Sequence, residues 1–155
     1  VGYSGDNEAA LWAVNSGMFD TLQTSFNIVD QYARIKLFGP AKAKNMGIII
    51  KRPIANMAWG ATNVPSKYAS EYFDRAQVMA AIGSIPEASS DHLLTAMGFV
   101  FDHSDVDTVI VGTQNQAHMK TNIALVEDEL PISTEIVDEL RLRFDAKGAN
   151  WRQLT

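Results

Sequence analysis

The sequence predicts an α/β fold in which four strand–helix units build a parallel sheet. Short apolar segments rich in β-branched residues alternate with longer stretches of helical periodicity, and glycine, asparagine or proline separates them. Strands that alternate with helices are joined by crossover connections, which make neighbouring strands parallel. The 155 residues are predicted to form one domain, 1–155, large enough to bury a core.

The first two units occupy the N-terminal third of the sequence. Val1–Tyr3 is predicted as a strand, and the helix after it begins near Asp6, which is a good N-cap. Residues 19–23 are predicted as the second strand, followed by a helix that starts near Asp30. Gly39–Pro40 interrupts that helix, because proline lacks an amide proton and is tolerated in the first turn of a new helical piece.

The third strand, Gly47–Lys51, is the clearest, because it is a continuous apolar run of the kind buried on both faces of a sheet. The fourth strand is predicted at Val106–Val111. Three further helices are predicted at 67–82, 87–101 and 133–146.

The segment that contains the fourth strand predicts a ligand site. The strand ends at Gly112–Thr113, a polar turn follows, and a helix begins near Gln116. A buried parallel strand that runs into a glycine turn and a helix N-terminus is suited to hold a phosphate. Gly112–Thr113 alone could also be a simple strand-ending turn, since the sequence has no glycine-rich nucleotide fingerprint.

Four segments of the sequence, in order, resemble the second half of an aldo-keto reductase. They are Val1–Ala10, Phe19–Asp30, Met46–Trp59 and Val106–Asn122, and they are similar to the fifth to eighth strands of that family with their helices. The resemblance implies an α/β fold that is a parallel half (β/α)8 (TIM) barrel of four βα units. It also implies an oxidoreductase function with NADP as the cofactor.

The resemblance assigns nine residues to the cofactor, which are Ser4, Gln23, Lys51, Arg52, Ile54, Gly112, Thr113, Gln114 and Asn122. Ser4 and Gln23 would hold the nicotinamide carboxamide, and Lys51 stands where many members stack an aromatic ring on the nicotinamide. Arg52 and Ile54 would lie along the pyrophosphate channel. Gly112, Thr113 and Gln114 would meet the adenosine ribose and its phosphate, and Asn122 the adenine.

Some positions depart from the family pattern. Gly5 stands where many members have an asparagine that also binds the carboxamide, and His118 stands where arginine is frequent. The family's catalytic aspartate, tyrosine, lysine and histidine lie on its first four strands, and no segment of this sequence resembles those strands. We therefore expect no catalytic residue here and no activity of the isolated chain.

Three of the assigned residues also have purely structural explanations. Lys51–Arg52 could be a solvated pair at the end of a strand, and Gln23 could be a core amide with satisfied hydrogen bonds. The three histidines lack metal-ligand spacing, and the chain has no cysteine, so no metal site is predicted.

Composition limits the partners and the compartment. With a formal charge of −5 and no basic run, the sequence argues against binding to nucleic acid or to an anionic membrane. No apolar run approaches 18 residues, so no membrane span is expected. The lack of cysteine and of a signal-like segment before the first strand favours the cytoplasm.

Four βα units alone would leave the inner face of the sheet and two strand edges open, and open edges invite pairing. A homodimer is therefore predicted, in which the first strand of one chain pairs with the last strand of the other. Pairing with a separate first half, or a dimer that stacks the open faces, would serve as well. A nucleotide or a small anion is expected as a partner at the strand C-terminal ends. The alternative function is a non-enzymatic, self-assembling half-barrel binding or structural protein, whose ligand there would be another small anion.

Overall fold

The computed structural model of the protein describes residues 7–154. Its sheet has three parallel strands in the order β1 (Thr21–Ser25), β2 (Gly47–Lys51) and β3 (Thr108–Ile110). The predicted α/β class with a parallel sheet is confirmed for these three strands. The first predicted strand, Val1–Tyr3, lies outside the described residues.

Helices follow each strand. Within the described residues they are α1 (Asn7–Asn15), α2 (Tyr32–Lys36), α3 (Phe38–Ala43), α4 (Ser70–Ala80), α5 (His92–Phe101), α6 (Gln116–Ala124) and α7 (Thr134–Lys147). Short 3-10 helices lie at Ala55–Met57 and Lys67–Ala69, and a π-helical turn, Leu125–Glu129, continues α6. None of the helices described between residues 7 and 154 is long and apolar enough to cross a membrane.

Several boundaries differ from the predicted ones. β1 lies two residues later than 19–23, because Thr21 pairs with Gly47 and sets the register. The break between α2 and α3 falls at Leu37, so Pro40 lies in the first turn of α3, where an amide proton has no partner within the helix. α5 begins later than predicted, because the Asp91 carboxylate accepts hydrogen bonds from the first-turn amides of that helix.

The expectation that the third strand is buried on both faces was wrong. Ile48 and Ile50 are fully buried under helices, whereas Ile49 between them is only half-buried. Side chains alternate between the two faces of a strand, and residues paired in parallel strands share a face. Ile49 is paired with Thr108, which is exposed. One face of the sheet therefore carries the helices, and the other is left open by the residues that the structure describes.

The core lies between the covered face of the sheet and the helices behind it. Phe26 follows β1 and packs against Phe38 of α3, with ring centroids 5.1 Å apart, and against Phe99 of α5 at 5.4 Å. Val137 and Leu140 of α7 are also fully buried. These contacts join helices from separate strand–helix units into one core, which fixes the positions of the loops at the strand C-terminal ends.

Candidate functional site

A cavity of about 270 Å³ lies beyond the C-terminal ends of β2 and β3. Three segments enclose it: the loop after β2, the turn after β3, and one face of α6, with one further residue from α5. The residues that line it are Ile54, Met57, Leu93, Val111, Gly112, Thr113, His118, Thr121 and Asn122.

The N-terminus of α6 is fixed by two side chains of the turn. The Thr113 hydroxyl accepts a hydrogen bond from the Asn115 amide at 3.1 Å, and the Asn115 side chain accepts one from the Ala117 amide at 2.9 Å. First-turn amides of a helix have no partners within the helix. The two that these caps do not use, those of Gln116 and His118, remain the donors that an anion would meet at this helix end.

One face of α6 supplies three cavity residues. His118, Thr121 and Asn122 are spaced three and four residues apart, which places their side chains on the same side of a helix. Asn122 is buried, whereas His118 and Thr121 are exposed. The buried amide is therefore the polar group deepest in this wall.

The loop after β2 has unusual backbone geometry. Arg52, Ala55, Asn56 and Met57 all have positive φ, between 47° and 64°. For residues other than glycine this region is unfavourable by about 1–2 kcal/mol each, and such conformations concentrate at functional sites. The Asn27 side-chain amide donates to the Arg52 carbonyl at 3.0 Å and holds the start of the loop. This path directs the loop toward the cavity.

Two cations follow one another at the end of β2. Lys51 is paired in register with Ser25 on one side and Ile110 on the other, so it lies between the two neighbouring strand ends. Partial burial lowers the pKa of Lys51, and the neighbouring Arg52 lowers it further, while Asp30 opposes both effects. This rim of the sheet is positive, which favours anions.

A buried acid lies behind this pair. Asp30 has no exposed surface, and burial raises the pKa of its carboxyl to about 7. The Leu154 amide, which donates to Asp30 Oδ2 at 2.9 Å, acts in the opposite direction, as do the charges of Arg75 and Arg52. Desolvation exceeds these favourable contacts, so the uncharged carboxyl persists to neutral pH.

No family model matches the chain, and no curated protein matches it in sequence. Among solved structures, the aldo-keto reductase AKR11C1 from Bacillus halodurans is similar to it in both its apo and its holo form, with a TM-score of 0.71 and 15% identity. The fold is that of part of an aldo-keto reductase. Each match covers 90% of this chain and 48% of the reductase, so the chain spans about half the length of these structures.

The aldo-keto reductase resemblance inferred from sequence is thus confirmed for the fold. Of the nine residues assigned by that resemblance, four line the cavity together, which are Ile54, Gly112, Thr113 and Asn122. Lys51 and Arg52 lie at the neighbouring strand end, and Gln23 lies on the open face, paired with Ile49. Gln114 is exposed and is not part of the cavity wall, and Ser4 lies outside the described residues.

The structure adds cavity residues that the sequence-based assignment lacked. Met57 and Leu93 reach the cavity from the loop after β2 and from the start of α5, and no local pattern indicates either of them. Thr121 could have been found, because it lies one helical turn after His118 and beside Asn122. Within residues 7–154, no group of histidine and acidic side chains is placed to hold a metal ion.

Proposed function

We propose that this chain is the cofactor-binding half of an aldo-keto reductase-like, NADP-dependent barrel. It holds the adenosine end of NADP in the cavity and does not reduce carbonyl compounds by itself. The observation that supports this most strongly is that three separate segments of the chain meet in one cavity. The aldo-keto reductase resemblance assigns Ile54, Gly112–Thr113 and Asn122 to the cofactor, and all of them line this cavity.

The cavity suits a nucleoside in size and chemistry. Sites for drug-sized ligands are about 300–1,000 Å³ and mostly apolar, with a few polar groups that fix the orientation. A cavity of about 270 Å³ matches one end of a dinucleotide better than the whole molecule. Ile54, Leu93 and Val111 give apolar walls for a base, and the buried amide of Asn122 can exchange hydrogen bonds with its edge.

The phosphates of the cofactor also find suitable partners. The N-terminus of α6 lies at one side of the cavity, and a helix N-terminus attracts anions through its free amides and its dipole. Arg52 directly follows β2 and lies two residues before Ile54, and the resemblance places the pyrophosphate along these two residues. The cofactor would supply a hydride, and the residues of this chain would bind and orient it.

Binding without turnover follows from the chemistry of the lining. Reduction of a carbonyl needs an acid within hydrogen-bond reach of the carbonyl oxygen. Among the described residues that line the cavity, His118 is the only titratable side chain, and its side chain belongs to the wall assigned to adenosine. Tyr72 is fully buried, and its hydroxyl contacts Arg52 and the Leu154 carbonyl. We therefore assign the chain no catalytic residue.

Fluorescence titration with NADPH tests this function. The wild-type chain is expected to bind NADPH with saturation and to leave its absorbance at 340 nm unchanged when mixed aldehydes and ketones are added. Asn122→Ala should weaken binding about tenfold, because one buried hydrogen-bonding group is worth about 1–2 kcal/mol. Asn63→Ala, an exposed loop position, is the matched control and should bind as wild type does. Sustained NADPH oxidation would contradict the proposed lack of turnover.

We further propose that the chain acts as a homodimer. Phe101, Ile110, Met119 and Ile123 are each exposed by 40% to 49% and line one groove of about 450 Å³ beside β3. A contiguous exposed apolar patch next to an open strand edge favours association. Light scattering at micromolar concentration should give twice the chain mass, and Ile110→Lys should shift it toward the monomer. Met18→Lys, at an exposed site elsewhere, should not; a wild-type monomer would contradict the dimer.

The same apolar groove favours the alternative, a non-enzymatic protein that self-assembles and binds no dinucleotide. The two functions separate in one pair of measurements. A dimer that binds NADPH supports the cofactor-binding half, whereas a dimer that binds neither NADPH nor adenosine 2′,5′-bisphosphate at millimolar concentration supports the alternative.

A further inference from the structure

The C-terminal segment 151–154, here called the strap, is attached to the body by side chains of α4 and α7. The Trp151 ring packs edge-on against Phe144 at 5.8 Å, and the Arg75 guanidinium lies 5.0 Å from the same indole. Arg75 also donates to the Arg152 carbonyl at 2.8 Å. These contacts fix the beginning of the strap.

The remainder of the strap covers the C-terminal end of β1. The Gln153 amide donates to the Thr24 hydroxyl at 2.7 Å and to the Ser25 carbonyl at 2.9 Å. The Leu154 amide donates to Asp30 Oδ2 at 2.9 Å. Asp30 is thus sealed from water partly by the strap that it holds.

Hydrogen bonding between the strap and the residues that it covers is incomplete. Within the described residues, Asp30 Oδ1 and Gln153 Oε1 are buried and have no hydrogen-bond partner. An ionised carboxylate needs partners for both oxygens, so this arrangement favours the protonated carboxyl. Burial raises the pKa of Asp30 to about 7, against the Leu154 amide and the nearby cations. The charged or titratable groups that face it are Arg75, Glu71 and Tyr72 from α4, with Lys51 and Arg52 from the end of β2.

We propose that the strap is a latch, closed over the end of β1 while Asp30 is protonated and released when Asp30 ionises. The direction follows from linkage. Burial under the closed strap raises the pKa of the carboxyl from 3.8 to about 7, and opening the strap lets water reach the carboxyl and lowers its pKa again. Protonation therefore favours the closed form below pH 7. The closing equilibrium is expected to weaken by at most about 16-fold between pH 5.5 and pH 7 and by about a further twofold at higher pH.

Opening of the latch would also affect the positive rim that Lys51 and Arg52 form at the end of β2. The Tyr72 hydroxyl donates to the Leu154 carbonyl at 3.4 Å and accepts from Arg52 Nη1 at 3.4 Å. It therefore connects the strap to the residue after β2. Release of Leu154 leaves Tyr72 and Arg52 free to move. The latch itself does not depend on cofactor binding.

Acrylamide quenching of Trp151 fluorescence tests the latch. Trp12→Phe and Trp59→Phe make Trp151 the only tryptophan, and circular dichroism checks the fold at each pH. Quenching should rise from pH 5.5 to pH 7 and then level off. In the same background, Asp30→Asn should give low quenching at every pH, because an amide cannot ionise. Asp74→Asn, at an exposed acid of α4, should behave as the parent does.

A second variant keeps the test decisive if Asp30→Asn does not fold. Gln153→Ala removes the bonds to Thr24 and Ser25 but leaves Asp30 in place, so quenching should be higher than in the parent below pH 7 while a rise with pH persists. Quenching of the parent that is flat from pH 5.5 to pH 8 would overturn the latch. So would a folded Asp30→Asn variant with the parent's pH response, or a Gln153→Ala variant indistinguishable from the parent.

Discussion

Lys51 and Ile110 occupy paired positions at the ends of the neighbouring parallel strands β2 and β3. The two segments that follow them, 52–57 and 111–113, therefore leave the sheet side by side and enclose the cavity between them. Parallel strands in a barrel place their functional groups at this end. The register of one pair of residues thus brings together segments that are more than fifty residues apart in the sequence.

His118→Arg is expected to increase the preference for a 2′-phosphate. His118 lies in the cavity wall at the start of α6, and arginine would add a permanent charge with a planar fork that matches a phosphate. Adenosine 2′,5′-bisphosphate should bind about 5- to 10-fold more tightly to the variant, with little change for adenosine 5′-monophosphate. Calorimetric titration of both nucleotides measures this. An equal gain for both would show that the 2′-phosphate does not lie at residue 118.

Asp30 should make the protein less stable as the pH rises from about 4 to 7. Its pKa is raised from 3.8 to about 7 in the folded chain, so the unfolded chain loses the proton first as the pH rises. The stabilisation of the folded chain by the protonated carboxyl is therefore lost across that interval. The full effect is on the order of 4 kcal/mol. Asp30→Asn should therefore raise the free energy of unfolding at pH 8 more than at pH 5.5. Urea unfolding at both pH values measures it, with Asp74→Asn as the control. An equal change at both would contradict the raised pKa.

Phosphate is expected to raise the melting temperature, because Lys51 and Arg52 form a positive rim whose mutual repulsion an anion relieves. Arg52→Ala should weaken this response, and Arg52→Lys, which keeps the charge, should retain most of it. Melting is measured against phosphate concentration at constant ionic strength. A wild-type melting point that does not change, or an identical response of the alanine variant, would remove the anion site.

The sequence predicted the features that depend on local chemistry. β2 was predicted with its observed ends, because a short apolar run bounded by a glycine and a charged residue is typical of a strand. The start of α6 was also correct, because Asn115 is a good cap. The continuous apolar run of β2 predicted burial on both faces, whereas the half-barrel resemblance predicted an open inner face, on which Ile49 is only half-buried.

Only part of the candidate site was predicted, because only some of its residues have a local signal in the sequence. Gly112 and Thr113 follow a strand and precede a helix, a pattern visible locally, and the resemblance supplied Ile54 and Asn122. Met57 depends on a left-handed backbone path, and Leu93 on the packing of α5, and neither has a local signal. The burial of the Asp30 carboxyl could not be predicted from the sequence, because its partner, Leu154, lies 124 residues later in the chain.

The proposed function depends on binding of a dinucleotide by its adenosine end. Calorimetric titration of the wild-type chain with adenosine 2′,5′-bisphosphate and with NADPH, under the same buffer and salt, tests it most directly. We expect both to bind at one site per chain with affinities within about threefold of each other, a difference in binding free energy of only about 0.7 kcal/mol. Binding of intact NADPH that is a hundredfold tighter than that of the bisphosphate, or no binding of either, would contradict it.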